Sequence, residues 1–155
     1  MIKVLSLYEI LFGLVGLGTM ILFAGPETVM QSTSPLFPIL LGIFSTSVLF
    51  YALAVLAGIL LWKMRKSGKI LSIVIQALQT PIFAVTGLNY LVNLGLGVPL
   101  YLGSTGTGIS FGLNFLLGPQ FNLGYGNDGF LLGVNITAIL LLILFTRIKL
   151  DETGL

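Results

Sequence analysis

A single carboxylate, Glu9, interrupts the apolar stretch "VLSLYEILFGLVGLGTMILFA" at residues 4–24. An ionisable group inside a membrane is costly to leave bare, so it is either held by a partner or used in chemistry. Candidate partners lie in a second apolar stretch, "ILSIVIQALQTPIFAVTGLNYLVN", from residue 70 onward. At about 100° per residue, Ser72, Gln76, Gln79, Thr86 and Tyr90 share one helical sector, with Asn93 at its edge. Glu9 lies six residues past Lys3 and Gln76 seven past Lys69, so both reach a similar depth. A stripe of amides and hydroxyls serves as hydrogen-bonding glue between membrane helices or lines a path for a ligand. The stripe has no Asp, Glu, Lys or His, which argues against a proton relay.

Catalysis usually needs an acid and a base in different environments, and Glu9 has no matched partner of that kind. No catalytic residues are assigned, and the chain reads as a non-enzyme. There is no Cys and no His. Thiol chemistry, Cys- or His-ligated metals and the usual proton carrier near neutral pH are therefore excluded, and neither metal nor cofactor is expected. "GSTGTG" at 103–108 lacks the Lys-Ser/Thr that a phosphate loop needs.

A different pattern occupies "GISFGLNFLLGPQFNLGYG", residues 108–126. Ile109, Phe111, Leu113 and Phe115 alternate with Ser110, Gly112 and Asn114; after Gly118-Pro119, Phe121, Leu123 and Tyr125 alternate with Asn122 and Gly124. Period-2 alternation predicts two half-buried strands, and "LLGPQ" between them fits a hairpin loop. Ser110, Gly112, Asn114, Asn122 and Gly124 would form a small-residue face on which a partner could dock.

The elements that would position these residues follow from composition. The chain is 56% hydrophobic and 8% charged, against about 25% charged in soluble domains. That is the composition of an integral membrane protein. Stretches of about 20 apolar residues suffice for a spanning helix, and four qualify: about 4–24, 36–62, 70–94 and 130–147. The seven basic residues are Lys3, Lys63, Arg65, Lys66, Lys69, Arg147 and Lys149. With four spans they all fall on one side, which the positive-inside rule makes cytoplasmic. A cleaved signal peptide is disfavoured because the first apolar run is long and contains Glu9. Ser34 and Asp128 are the expected N-caps of the second and fourth spans. Asn135-Ile136-Thr137 is a sequon that the fourth span would bury.

The expected architecture is thus an all-α membrane protein, one domain over residues 1–155. Its four-transmembrane-helix bundle has both termini cytoplasmic, in the plasma or inner membrane, with an extracytoplasmic β-hairpin at about 108–126 between helices three and four. The expected function is that of a non-catalytic membrane subunit that binds other membrane protein subunits through the hairpin and helix faces. The alternative is a small lipid-, quinone- or solute-binding or transporting protein using the helix-three stripe and Glu9. Lys63, Arg65, Lys66 and Lys69 are positioned to meet anionic lipid headgroups. Membrane lipids are therefore expected partners, and nucleic acid is not.

Overall fold

The computed structural model describes residues 1–23, 37–85, 88–104, 108–124 and 130–149. Two unbroken apolar runs form the long helices α1 (Ile2–Phe23) and α2 (Phe37–Trp62). Pro38 in α2 falls in the first turn, where its missing N–H costs nothing. The two helices pack antiparallel and close: a Cβ on Gly13 would sit 2.8 Å from Val55 Cγ2, and one on Gly58 2.7 Å from the Ser6 carbonyl oxygen. Both are long and apolar enough to cross a membrane, and only 28% and 22% of their apolar windows are buried within the chain. The core helix of a water-soluble domain would be mostly covered by its own protein.

Helix α2 ends in a tight turn. Arg65 N–H bonds to the Leu60 carbonyl and Met64 N–H to that of Leu61, a Schellman ending with Met64 in the left-handed position (φ 58°) where glycine is usual. Helix α3 (Lys66–Gln79) then runs back along α2. It stops where Pro81 removes the next donor, and Thr80 N–H closes the last turn on the Ala77 carbonyl.

Beyond Pro81 the chain changes period. Strands β1 (Pro81–Val85), β2 (Leu88–Asn93), β4 (Pro99–Ser104), β5 (Ile109–Leu113), β7 (Gln120–Gly124) and β8 (Phe130–Asn135) form one antiparallel sheet in the order β5-β4-β8-β1-β2-β7. The short strands β3 (Leu96–Gly97) and β6 (Leu116–Leu117) pair separately. Both strand prolines, Pro81 and Pro99, stand at the first position, the place a strand tolerates them. At Asn135 the chain turns into helix α4 (Ile136–Arg147), the Asn135 side chain accepting from Ala138 N–H at 3.4 Å. Asn135 is therefore the N-cap, and the sequon is a strand-to-helix junction.

These observations correct the all-α, four-span expectation. The stretch at 70–94 divides into the end of α3 and the two strands β1 and β2, and that at 130–147 into β8 and α4. At 1.5 Å per residue α3 and α4 rise only about 21 and 18 Å, short of the roughly 30 Å of a hydrocarbon core. Pro81 ends one helix and Asn135 starts the other, and the apolar runs beside them pair with each other as β1 and β8.

The hairpin is corrected too. Its two strands exist as β5 and β7, but they lie at opposite edges of the sheet. Strand β5 pairs with β4 and β7 with β2. The intervening residues do not form a turn loop, because Asn114 N–H bonds to the Pro99 carbonyl, Leu116–Leu117 pair with Leu96–Gly97, and Gly118 N–H bonds to the Gly95 carbonyl. Ser34 and Asp128 lie outside the described residues.

The core sits at the seam between helices and sheet, where Phe50, Tyr51, Ala54 and Ala57 of α2 meet Ile75 of α3 with Val92 and Leu94. A smaller cluster of Leu5, Leu61, Phe145 and Ile148 closes the opposite end.

Candidate functional site

Glu9 is fully buried rather than reaching back toward the helix end. Gly13 and Gly16, one and two turns on, bring α1 against α2, while α3 brings Ser72 to Glu9. The Ser72 hydroxyl donates to Glu9 Oε2 at 2.7 Å, and Gln76 lies against the same carboxyl. Glu9 Oε1 and Gln76 Nε2 fall short of hydrogen-bond geometry, as does the buried Tyr51 hydroxyl. The lysines that could have paired with Glu9 are occupied elsewhere. Lys3 stands 5.8 Å from the centre of the Trp62 ring, and Lys69 donates to the carbonyls of Thr146 and Ile148 at 3.2 and 2.7 Å.

The polar stripe continues toward the sheet. Gln79 donates to Gln76 Oε1 at 3.3 Å, and its own oxygen accepts from Leu94 N–H at 2.6 Å. Ser72, Gln76, Gln79 and Asn93 are all buried. Asn93 Nδ2 donates to the carbonyls of Gly95 and Gly118, both at 2.9 Å, and Asn135 Nδ2 donates to Asn93 Oδ1 at 3.3 Å. Asn135 Oδ1 also accepts from Val98 N–H at 3.2 Å. Tyr90 is on β2, not α3, and its hydroxyl donates to the Leu78 carbonyl at 2.6 Å. Thr86 lies outside the described residues.

The stripe is thus brought together, though not as one face of one helix. It satisfies the backbone where three helices meet the loops at the base of the sheet. In a chain with so few charges, buried amides are the groups available to tie irregular backbone. Asn135 and the Tyr8 hydroxyl, which accepts from Leu96 N–H at 3.1 Å, escaped the sequence reading. An Asn directly before the apolar run "ITAILLLILF" is the N-cap signal that could have found the first.

The sheet is the second region of interest. Residues directly opposite in an antiparallel pair share a face. The registers therefore place Ile109, Phe111 and Leu113 of β5 with Leu100 and Leu102 of β4 and Phe130, Leu132 and Val134 of β8. Phe83, Tyr90, Val92 and Phe121 continue the same face. Its β7 corner is covered by α2, with Phe50 and Phe121 ring centres 6.0 Å apart. The β5 side is open: Ile109, Phe111 and Leu113 are 81%, 73% and 61% exposed.

Ser110, Gly112 and Asn122 lie on the other face. Ser110 and Asn122 are exposed, and Asn114, in the link after β5, is exposed as well. Gly112 is occupied by the chain itself, because the Tyr101 ring lies against it, while Gly133 faces the Tyr101 Cβ and the Leu100 carbonyl. Gly124 stands opposite Asn89 on β2. No charged residue occurs from residue 70 to residue 127, so neither face of this sheet carries a charge in its described strands.

No family model, curated protein or solved structure matches the chain.

At the far end of the helices the basic residues gather. Lys3 meets Trp62 of α2, and Lys69 ties α3 to the end of α4, beside Arg147 and Lys149. Lys63, Arg65 and Lys66 are exposed there. A shallow cavity of about 470 Å³, lined by Met1, Ile2, Lys3, Met64 and Ile148, opens at the same end. Among the described residues no three His, Cys, Asp or Glu side chains cluster as a metal site would require.

Proposed function

We propose that this protein is a non-catalytic, membrane-embedded subunit that associates with other protein through the open edge of its sheet. One observation carries the reading: the sheet has an exposed, uncharged apolar face that ends in edge strands unpaired on their outer sides among the described residues. Lipid is a good solvent for that face. It is a poor one for an edge, since each unsatisfied backbone group in hydrocarbon costs several kcal/mol. A protein partner supplies what lipid cannot.

In this reading α1 and α2 cross the membrane with the basic end cytoplasmic, and Lys63, Arg65 and Lys66 meet anionic headgroups there. The sheet lies beside the outer halves of α1 and α2. The contact of Gly95 with Phe12 and that of Phe121 with Phe50 both support this depth.

A second reading, a small lipid-, quinone- or solute-binding protein, draws on the partnerless buried atoms of Glu9, Gln76 and Tyr51. Purification from native membranes in a gentle detergent separates the two. The proposal expects a stable assembly in fixed stoichiometry, made of this chain with itself or with another membrane protein. A monomer loaded with a small ligand would transfer the argument to the second reading.

A further inference from the structure

The edges of the sheet are complementary to each other. Every neighbouring pair in the order β5-β4-β8-β1-β2-β7 is antiparallel. With six strands, β5 and β7 therefore run in opposite directions. The registers also put Phe111 and Phe121 on the same apolar face, and Ser110 and Asn122 on the other. Neither edge strand carries a charge or a proline, two of the devices that blunt edges against pairing. Within one chain β5 and β7 are held apart by the four strands between them.

We infer that β5 of one copy pairs with β7 of a second copy inserted in the same orientation, so that the two sheets continue into one membrane-embedded antiparallel sheet. This rests on the membrane-subunit reading and names its partner. Copies inserted the same way are related by rotation about the membrane normal, which preserves strand direction and keeps each apolar face toward lipid. Under that rotation β5 meets β7 as an antiparallel neighbour with apolar residues on the same side. A β5–β5 contact would instead set parallel strands with their apolar faces on opposite sides. Joined at both seams, two copies form a closed, even-stranded antiparallel ring, the sheet arrangement that leaves no edge in lipid. The exposed Ser110 and Asn122 leave both edges accessible on the second face.

The chain has no cysteine, so introduced thiols report cleanly. Two differently tagged versions, Ser110→Cys and either Gln120→Cys or Asn122→Cys, are co-expressed and oxidised in native membranes. Testing both β7 positions allows for either register on the shared face. The expected result is a disulfide-linked dimer carrying both tags, lost when either cysteine is omitted, and weak or absent for Ser110→Cys alone. The native mass of the unmodified protein in detergent should be a multiple of the monomer. If Ser110→Cys and Asn122→Cys placed in one chain link within that chain and no dimer forms, the sheet closes on itself and the inference is wrong. If no pair cross-links while the chain stays in a stoichiometric complex with a different protein, the inference fails and the subunit reading stands. A monomer without cross-links overturns both.

Discussion

Gln79 and Gln76 are neighbours on one helix face, yet they differ in what depends on them. Gln79 is the acceptor for Leu94 N–H, a backbone donor in the core at the base of the sheet. Gln76 accepts from Gln79, and its own amide nitrogen is unpartnered. Replacing Gln79 with Leu orphans a buried backbone donor, which costs about 1–3 kcal/mol. Replacing Gln76 with Leu removes a side-chain bond within α3 only, and the Gln79 amide that made it also donates to the Ile75 carbonyl, so no buried donor is orphaned. Unfolding in mixed detergent micelles should therefore show Gln79→Leu clearly less stable than Gln76→Leu. Equal effects would mean that the network does not anchor the Leu94 loop. The sequence made the polar stripe legible because amides stand out in an apolar run. It hid the assignment of partners, since Tyr90 and Asn93 both stand on strand β2, which a continuous helix would have placed differently.

Among the elements, the α2–α3 hairpin is a close backbone-to-backbone join in the helical layer. A Cβ on Gly68 would lie 2.6 Å from the Leu60 carbonyl carbon, a clash with backbone that no rotamer change relieves. Gly68→Ala should force the two helices apart and destabilise the fold by about 1–3 kcal/mol, the range for overpacking. The comparison is Gly42→Ala, where an added Cβ meets nothing within 4 Å. Equal unfolding midpoints for the two would contradict the packing described. Helices α1 and α2 were legible in the sequence because hydropathy and length suffice for an unbroken apolar run. The other two spans were not. Hydropathy cannot distinguish a spanning helix from a helix followed by a strand when both are apolar on every exposed side. The markers that decide, Pro81 and Asn135, are single residues whose effect depends on a strand partner far along the chain. The alternation of β5 and β7 was likewise visible, but pairing is a long-range choice. Pairing β5 with β4 and β7 with β2 forms two five-residue ladders where a local hairpin would form one.

At the scale of the whole molecule, the polar and charged groups are sorted by position. All the cations in the described residues lie at one end of the helices, the uncharged amides sit at the junction, and the sheet carries none of the charges. The apolar face of such a sheet is compatible with lipid, as the proposed membrane subunit requires. The central claim is therefore that the face bearing Phe111 is embedded in the bilayer. The direct measurement is fluorescence quenching by brominated lipid chains in reconstituted vesicles. A Trp62→Phe background removes the one native tryptophan, and a single new tryptophan is placed by Phe111→Trp or by Ser110→Trp, on opposite faces of β5. The account predicts strong quenching by bromolipid at position 111, weak quenching at 110, and little access of aqueous iodide to position 111. Iodide quenching at position 111 as strong as at 110, with no effect of bromolipid at either, would contradict it.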